Sequence, residues 1–198
     1  MKATDLVEKQ HREMEDLFAK FENANESEKD ELFEEIAANL VAHDAIEREL
    51  LYPAYEKTGA DDALREALVE HGIVEFSLFR ANKNRGKESF DAFVKALKEV
   101  VEHHVKEEEK TFLPKAEKKL GAQNEALGAR MKSRFEEAKA KGFEKPLREA
   151  VEQLLTGRTK IDTRPKKTAP KRGVRTAPKK RVKATARRRT AKSRAGTR

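Results

Sequence analysis

The stretch HDAIERELLYP at residues 43–53 and the stretch HVKEEEKTFLP at residues 104–114 follow the same plan. Each has a Glu four residues after its His and a Pro ten residues after it. The two pairs are His43 with Glu47, and His104 with Glu108. Residues four apart lie on one face of an α-helix. In both stretches that face is also the apolar one, so a His and a carboxylate are expected to point together into a helical core.

The rest of the first 155 residues has the same helical period, because apolar residues recur at spacings of three and four while Gly and Pro are scarce. Four such segments are separated by breaks at residues 23–27, 53–60, 84–86 and 114–121. Each segment has one His in the middle of its apolar stripe, namely His11, His43, His71 and His104. The stripes of the second and fourth segments end at Leu50 and Thr111. Helices joined by short connections become antiparallel neighbours, so the sequence predicts an all-α, up-and-down four-helix bundle.

Three regions are predicted along the chain. Residues 1–120 form the bundle, and residues 121–157 form additional helices that pack on it, the last of them starting near Pro146 and stopping near Gly157. Residues 158–198 are rich in Lys, Arg, Ala and Pro and contain no aromatic residue. They cannot bury enough apolar surface to offset the entropy of ordering, so a disordered basic tail is expected.

Charge is divided unevenly between these regions. Residues 156–198 contain 18 Lys and Arg and one acid, a net charge of +17, while the first 155 residues have a net charge of −9. Only the tail therefore has the composition of a polyanion-binding segment. It resembles the Lys/Ala/Pro tails of linker-histone-like bacterial proteins, and because it lacks aromatics for base stacking, we expect non-specific contact with the DNA backbone.

Several classes of protein are excluded or disfavoured. The longest run without a charged residue is eight residues, at 36–43, far short of the ~20 needed to span a bilayer. The first residues have no apolar core of a signal peptide, so a cytoplasmic protein is expected, associated with the nucleoid if the tail binds DNA. The chain has no Cys, and the motifs of P-loop, dinucleotide-binding and zinc-helix proteins are missing. No membrane partner is expected.

The pattern of His and Glu indicates a metal site. A lone His on a helix stripe is usually a hydrogen-bonded core residue, but here four helices each contribute one, and two of them add a Glu on the same face. Burying two carboxylates without compensation costs several kcal/mol per ion. Cations at the centre of the bundle would remove that cost.

These residues, together with the trailing LLYP and TFLP strings, resemble the hemerythrin-like HHE cation-binding domains over about residues 1–120. The resemblance implies a four-helix bundle that holds a non-haem di-iron centre. It assigns Glu47 and Glu108 as bridging carboxylates and His11, His43, His71 and His104 as terminal ligands. It also implies reaction with O2, peroxide or NO, in sensing, scavenging or iron and redox stress, and it leaves open whether the protein is an enzyme.

Three points stay open at this stage. The oxygen carriers of the family have a second His one turn after the third-helix His, where this chain has Glu75, which is either a further ligand or an unliganded residue near the opening of the site. His103 also has a Glu four residues later, so it is an alternative to His104. Iron is the expected metal, although Mn or Zn would suit the same ligands.

An alternative function comes from the tail. The protein could be a nucleoid-associated DNA-binding protein whose bundle is a structural metal or metal-storage module. The two interpretations are compatible, and we expect iron chemistry carried to DNA through residues 158–198. The oligomeric state is not predicted.

Overall fold

The computed structural model describes residues 1–59 and 61–157 of the chain, and the described part contains helices without strands. Four long helices form the bundle. They are α1 (Ala3–Asn23), α2 (Glu26–Ile46), α4 (Asp62–Asn82) and α5 (Phe90–Glu107). Asn25 caps the start of α2, where its side-chain oxygen accepts hydrogen bonds from the N–H groups of Ser27 and Glu28. The predicted all-α bundle is confirmed.

Two π-helical segments interrupt the regular α-helix at equivalent places. The segment Glu47–Leu51 follows α2 and leads into the short helix α3 (Tyr52–Glu56), and the segment Glu108–Phe112 follows α5 and leads into α6 (Leu113–Leu120). At their ends, the N–H of Tyr52 donates to the Glu47 carbonyl and the N–H of Leu113 donates to the Glu108 carbonyl. These bonds span five residues instead of four, which is the π register.

The helices therefore continue through Pro53 and Pro114, where the sequence predicted breaks. Each Pro stands in the first turn of a new α-helical piece, α3 or α6. A Pro is tolerated in the first turn of a helical piece, and its fixed φ of about −65° suits the helix. The chain turns only after Glu56 and after Leu120.

The π segments also rotate the buried face by one residue. The predicted stripes place Leu50 and Thr111 in the core, but both are only partly buried, and Leu51 and Phe112 are buried instead. A π turn takes up one extra residue, so every side chain after it moves around the helix axis. The last part of each predicted stripe is therefore wrong by one position.

Two further helices follow the bundle. These are α7 (Gln123–Ala140) and α8 (Glu144–Leu155). The side chain of Asn124 at the start of α7 accepts a hydrogen bond from the N–H of Ala3 at 2.9 Å and donates one to the Thr4 hydroxyl at 3.1 Å. A Cβ at Gly128 would collide with the backbone at Met1 and Lys2, so only glycine allows this close contact between α7 and the start of α1. The helix α8 packs on α4.

Two apolar clusters fill the interior, and a polar layer lies between them. The first includes Val7, Ile46 and Phe112, and the second includes Met14 and Leu40. His11 stands between Val7 and Met14 along α1, so the layer of His residues falls where one cluster gives way to the other. All of the described residues belong to one compact unit.

Two further predictions concern the C-terminal tail and membrane-spanning helices. The disordered basic tail at residues 158–198 lies outside the described residues. In the described part of the chain, no helix combines the length and apolar character needed to cross a membrane.

Candidate metal centre

The polar layer contains all six residues that the two paired stretches and the mid-stripe His positions predicted as ligands. They come from α1, α2, α4, α5 and the first residue of each π segment, and all six are buried. They are His11, His43, Glu47, His71, His104 and Glu108. The layer therefore joins all four long helices of the bundle.

Each Glu lies between His residues of different helices. Glu108 Oε2 is 3.4 Å from His11 Nε2 and 3.7 Å from His104 Nε2. Glu47 Oε2 is 3.2 Å from His43 Nε2 and 3.0 Å from His71 Nε2. All four imidazoles thus turn the same nitrogen, Nε2, toward the carboxylates.

These donor atoms form two groups that are compact enough to hold an ion each. In the first group the ligand atoms of His11, His43, Glu47 and Glu108 all lie within 4.8 Å of one another. In the second group the same holds for Glu47, His71 and His104. We call these the first and the second metal position. Glu47 belongs to both, which is the arrangement that a bridging carboxylate requires.

His103 does not take part in either group. Its side chain is 68% exposed and that of His104 is 6% exposed, so the buried member of the adjacent pair is His104. Glu75 is also absent from both groups. Its Oε2 lies 3.3 Å from Arg48 Nη2, so its contact is with that guanidinium and not with the ligand atoms of either group.

Unsatisfied atoms of the donor set show that it fits metal ions. Seven buried side-chain atoms of the described residues lack a hydrogen-bond partner. Four of them are donor atoms of this layer, namely His11 Nε2, His104 Nε2, Glu47 Oε1 and Glu108 Oε2. Buried polar atoms without partners are rare because each costs free energy. Imidazole nitrogens and carboxylate oxygens are suitable ligands for Fe, Mn and Zn, so the residues fit a metal centre.

The electrostatics of the metal-free layer also favour a cation. Burial would lower the pKa of His11, but the nearby carboxylates of Glu108 and Glu109 outweigh it and raise the pKa to about 9. Burial likewise would lower the pKa of His71, but Asp44 and Glu47 raise it to about 10. Burial would raise the pKa of Glu47, yet His43 and His71 hold that pKa well below its usual value. Glu47 thus stays charged here and attracts positive charge, which protons supply when metal is absent.

Four residues that the sequence interpretation missed orient the imidazoles. Each lies within hydrogen-bond distance of the Nδ1 atom of a predicted ligand on another helix. The four contacts are Gln10 Oε1 to His43 at 3.0 Å, Asp44 Oδ1 to His71 at 2.5 Å, Glu70 Oε2 to His104 at 2.9 Å, and Glu109 Oε1 to His11 at 2.9 Å. An acceptor at Nδ1 keeps a proton there and leaves Nε2 free for metal. All four are sequence neighbours of a predicted ligand, a signal that could have identified them.

Tyr52 is a fifth missed residue. It is buried, and its hydroxyl lies 2.8 Å from His71 Nε2 and 3.2 Å from oxygens of both Glu47 and Glu108. Burial and the two nearby carboxylates raise the pKa of Tyr52 well above its usual value, so the phenol keeps its proton in the metal-free protein. The sequence contained it only as part of the LLYP string, one residue after the π segment.

A cavity of about 310 Å3 borders the centre. The four ligand His residues form part of its wall, and apolar side chains such as Met14, Leu40 and Leu78 form much of the remainder. Glu75 and Arg48 also line it. Burial and the charge of Asp44 raise the pKa of Glu75 to about 7, which makes it a titratable group at the cavity wall near neutral pH.

A helical bundle that encloses four imidazoles and two shared carboxylates defines a metal-binding helical protein. The comparison with known families agrees, since residues 2–116 match the Hemerythrin HHE cation binding domain. The chain belongs to this family.

A solved structure supports the same relationship. The chain is similar to a hemerythrin HHE cation binding domain-containing protein from Mycobacterium kansasii, with a TM-score of 0.63 and 25% sequence identity. The similarity covers 81% of this chain and 94% of that protein. No match was found among curated protein sequences.

Proposed function

We propose that this protein binds two iron ions in the buried layer and uses them to bind or reduce O2, peroxide or NO, in sensing, scavenging or iron and redox stress. The observation that carries the proposal is the convergence of four Nε2 atoms on two buried carboxylates, where His11 Nε2, His104 Nε2 and Glu108 Oε2 lack hydrogen-bond partners. Mn or Zn would fit the same donors. When bound, iron would supply one-electron chemistry and open coordination positions for a small ligand.

The residues of the chain would hold the two ions close together. Glu47 would bridge the His43 side to the His71 side, and Glu108 would bridge the His11 side to the His104 side, as their distances suggest. The Nδ1 partners would keep each imidazole in the correct tautomer. Glu75 stays a candidate for a role other than ligation, since it is paired with Arg48.

The cavity supports access for a small ligand. Its apolar wall limits the water near the four His residues, and it is large enough to admit O2, peroxide or NO. Glu75, with a pKa of about 7, could hold or release a proton at this wall. The Tyr52 hydroxyl could donate a hydrogen bond inside the centre.

Metal analysis followed by rapid mixing tests this function. Protein from iron-supplied cells is expected to contain about two ions per chain, and the reduced protein is expected to change its near-ultraviolet and visible absorption when mixed with O2, peroxide or NO. His103→Ala is the matched control for His104→Ala, because His103 is adjacent but exposed. Metal without any spectral change would instead favour a structural or storage role for the centre.

A second activity is proposed for the tail, on the basis of its charge alone. Residues 156–198 carry a net charge of +17, and the first 155 residues carry −9. We propose that residues 158–198 bind duplex DNA without sequence preference. If about eight of the tail bases contact phosphates, the slope of log K against log salt is expected near −7. The acidic region should compete for the tail in dilute buffer, where screening is weak.

Titration of one duplex with the full chain, residues 1–157 and the tail peptide across a salt series tests this proposal. The tail peptide is expected to bind most tightly and residues 1–157 least. Equal binding by residues 1–157 and the full chain would rule out the tail as the nucleic-acid element.

A further inference from the structure

The four Nδ1 contacts form a closed ring around the metal centre. Gln10 on α1 contacts His43 on α2, Asp44 on α2 contacts His71 on α4, Glu70 on α4 contacts His104 on α5, and Glu109 after α5 contacts His11 on α1. Each long helix therefore carries a ligand His, and the Nδ1 atom of that His contacts a polar residue from the preceding helix of the ring. Three acceptors of the ring are carboxylates and one is an amide.

Two contacts of the ring are equivalent. Glu109, which contacts His11, is also paired with Arg12, and Asp44, which contacts His71, also accepts from Arg48 Nε at 2.6 Å. In both cases a carboxylate is shared between a ligand His and an Arg. His11 belongs to the first metal position and His71 to the second, so these contacts do not distinguish the positions.

The other two contacts differ. His43, in the first position, has the neutral amide of Gln10, whereas His104, in the second position, has the carboxylate of Glu70. Among the described residues, no Lys or Arg is in ion-pair contact with Glu70; its ion-pair contacts are His103 and His104. The difference between the two positions in this ring thus reduces to one residue, Gln10 against Glu70.

The first position has four donor residues and the second has three. We propose that the difference at Nδ1 nevertheless decides the order of binding, so that a divalent cation fills the His71 and His104 position first and the His11 and His43 position second. A carboxylate acceptor at Nδ1 raises the basicity of the imidazole and adds a negative charge near the ion, and an amide does neither. Gln10 and Glu70 act through the ligands, so both are positioning residues. The inference rests on the two-metal centre proposed above.

Reciprocal substitution isolates the effect. Metal-free full-length protein is titrated with Co2+, and the two stepwise dissociation constants are measured for the wild type, Gln10→Glu, Glu70→Gln and the double variant. Partners of this kind change metal affinity by about 10- to 100-fold. Glu70→Gln is expected to weaken the first constant by about tenfold, and Gln10→Glu to tighten the second by about tenfold.

The double variant provides the decisive measurement. It is expected to keep two unequal constants but to reverse their order, and anomalous diffraction from crystals with one equivalent of Co2+ locates the first ion. Glu66→Gln is the control, because Glu66 is exposed on α4 one turn before Glu70 and its loss removes the same charge without touching His104. Tyr52, which lies beside the second position, is unchanged in every variant.

Each outcome separates this inference from the function on which it rests. The unequal positions would be overturned by any of three results. These are equal affinities for the two ions, a first ion at His11 and His43 in the wild type, or stepwise dissociation constants that neither Gln10→Glu nor Glu70→Gln changes. A total of fewer than two Co2+ ions per chain would overturn the two-metal centre, and this inference with it. An effect of Glu66→Gln equal to that of Glu70→Gln would assign the change to general charge, which also overturns it.

Discussion

The two halves of the bundle build their shares of the metal centre in the same way. In each half a His lies in the last turn of a long helix, a Glu four residues later opens a π segment, and a Pro ten residues after the His stands in the next α-helical turn. The π-helical hydrogen bond, from an N–H five residues later, is accepted by the backbone carbonyl of that Glu, which is Glu47 in one half and Glu108 in the other. π segments often mark functional sites, and here both begin at the shared carboxylates.

The halves differ in what surrounds the ligands. Tyr52 and Leu113 occupy equivalent positions nine residues after the His, yet only Tyr52 offers a hydroxyl to the centre. Gln10 and Glu70 both precede a ligand His, yet they differ in charge. The repeated residues are those that a pair of cations would require, and the differences make the centre asymmetric. The following predictions test how far the two halves are equivalent.

The largest effect is expected from removing the shared carboxylates. Glu47→Ala and Glu108→Ala should each lose at least one metal ion, and the double variant should lose both, because the His ligands then have no anionic bridge. Metal analysis of purified protein measures the loss. Glu49→Ala, which removes an exposed surface carboxylate paired with Arg134, is the control and should retain its metal. Full metal content in the double variant would contradict the assignment.

The next effect is a different pH dependence of the metal-free and the metal-bound protein. The raised pKa values of His11, about 9, and His71, about 10, mean that protonation stabilises the metal-free fold. That contribution is complete below the unfolded His pKa of about 6.5 and is lost as pH rises through about 9 to 10. Metal competes with the same protons, so metal binding should strengthen over the same range.

Denaturant unfolding across this pH range checks that prediction, with one sample in chelator and one in excess metal. We expect stability to fall with pH in chelator and to change little in excess metal, because in this range neither the metal-bound nor the unfolded imidazoles carry the extra proton. The same trend in both samples would show that His11 and His71 do not exchange protons for metal.

A smaller effect is expected from Tyr52→Phe, which removes the hydroxyl that distinguishes the halves. In the metal-free protein it removes the hydroxyl that accepts from protonated His71 Nε2 and donates to a buried carboxylate, which should cost about 1–3 kcal/mol. Tyr55→Phe is the matched control, because the Tyr55 hydroxyl contacts Asp61 and Lys119 nearer the surface. Denaturant unfolding of both variants in chelator provides the comparison, and equal losses would contradict a special role for Tyr52.

The smallest effect is expected from Pro53→Ala and Pro114→Ala. Both prolines stand in the first turn of an α-helical piece, a position that tolerates Pro and Ala alike, so each change should alter stability by less than about 1 kcal/mol. Thermal unfolding and metal analysis check both variants. Loss of metal in either one would mean that the Pro maintains the π register at its Glu.

Much of the fold could be predicted because periodicity is a local property. The apolar stripes identified four helices and placed His11, His43, His71 and His104 on their inner faces, where the structure buries them. The π segments could not be predicted in this way. Their extra residue has no mark in the apolar pattern, so Leu50 and Thr111 were expected in the core where Leu51 and Phe112 lie.

Residue types and spacing by themselves determined the helical class of this protein, its family resemblance and the six candidate ligands, since a helix turn relates residues that are close in sequence. Only the tertiary structure decided that His104 is buried and His103 exposed, that Glu75 pairs with Arg48, and that Tyr52 enters the centre. It also decided the ring of Nδ1 contacts. Those outcomes depend on the rotation and axial offset of one helix against another, which side-chain packing across the whole core sets and which no local pattern records.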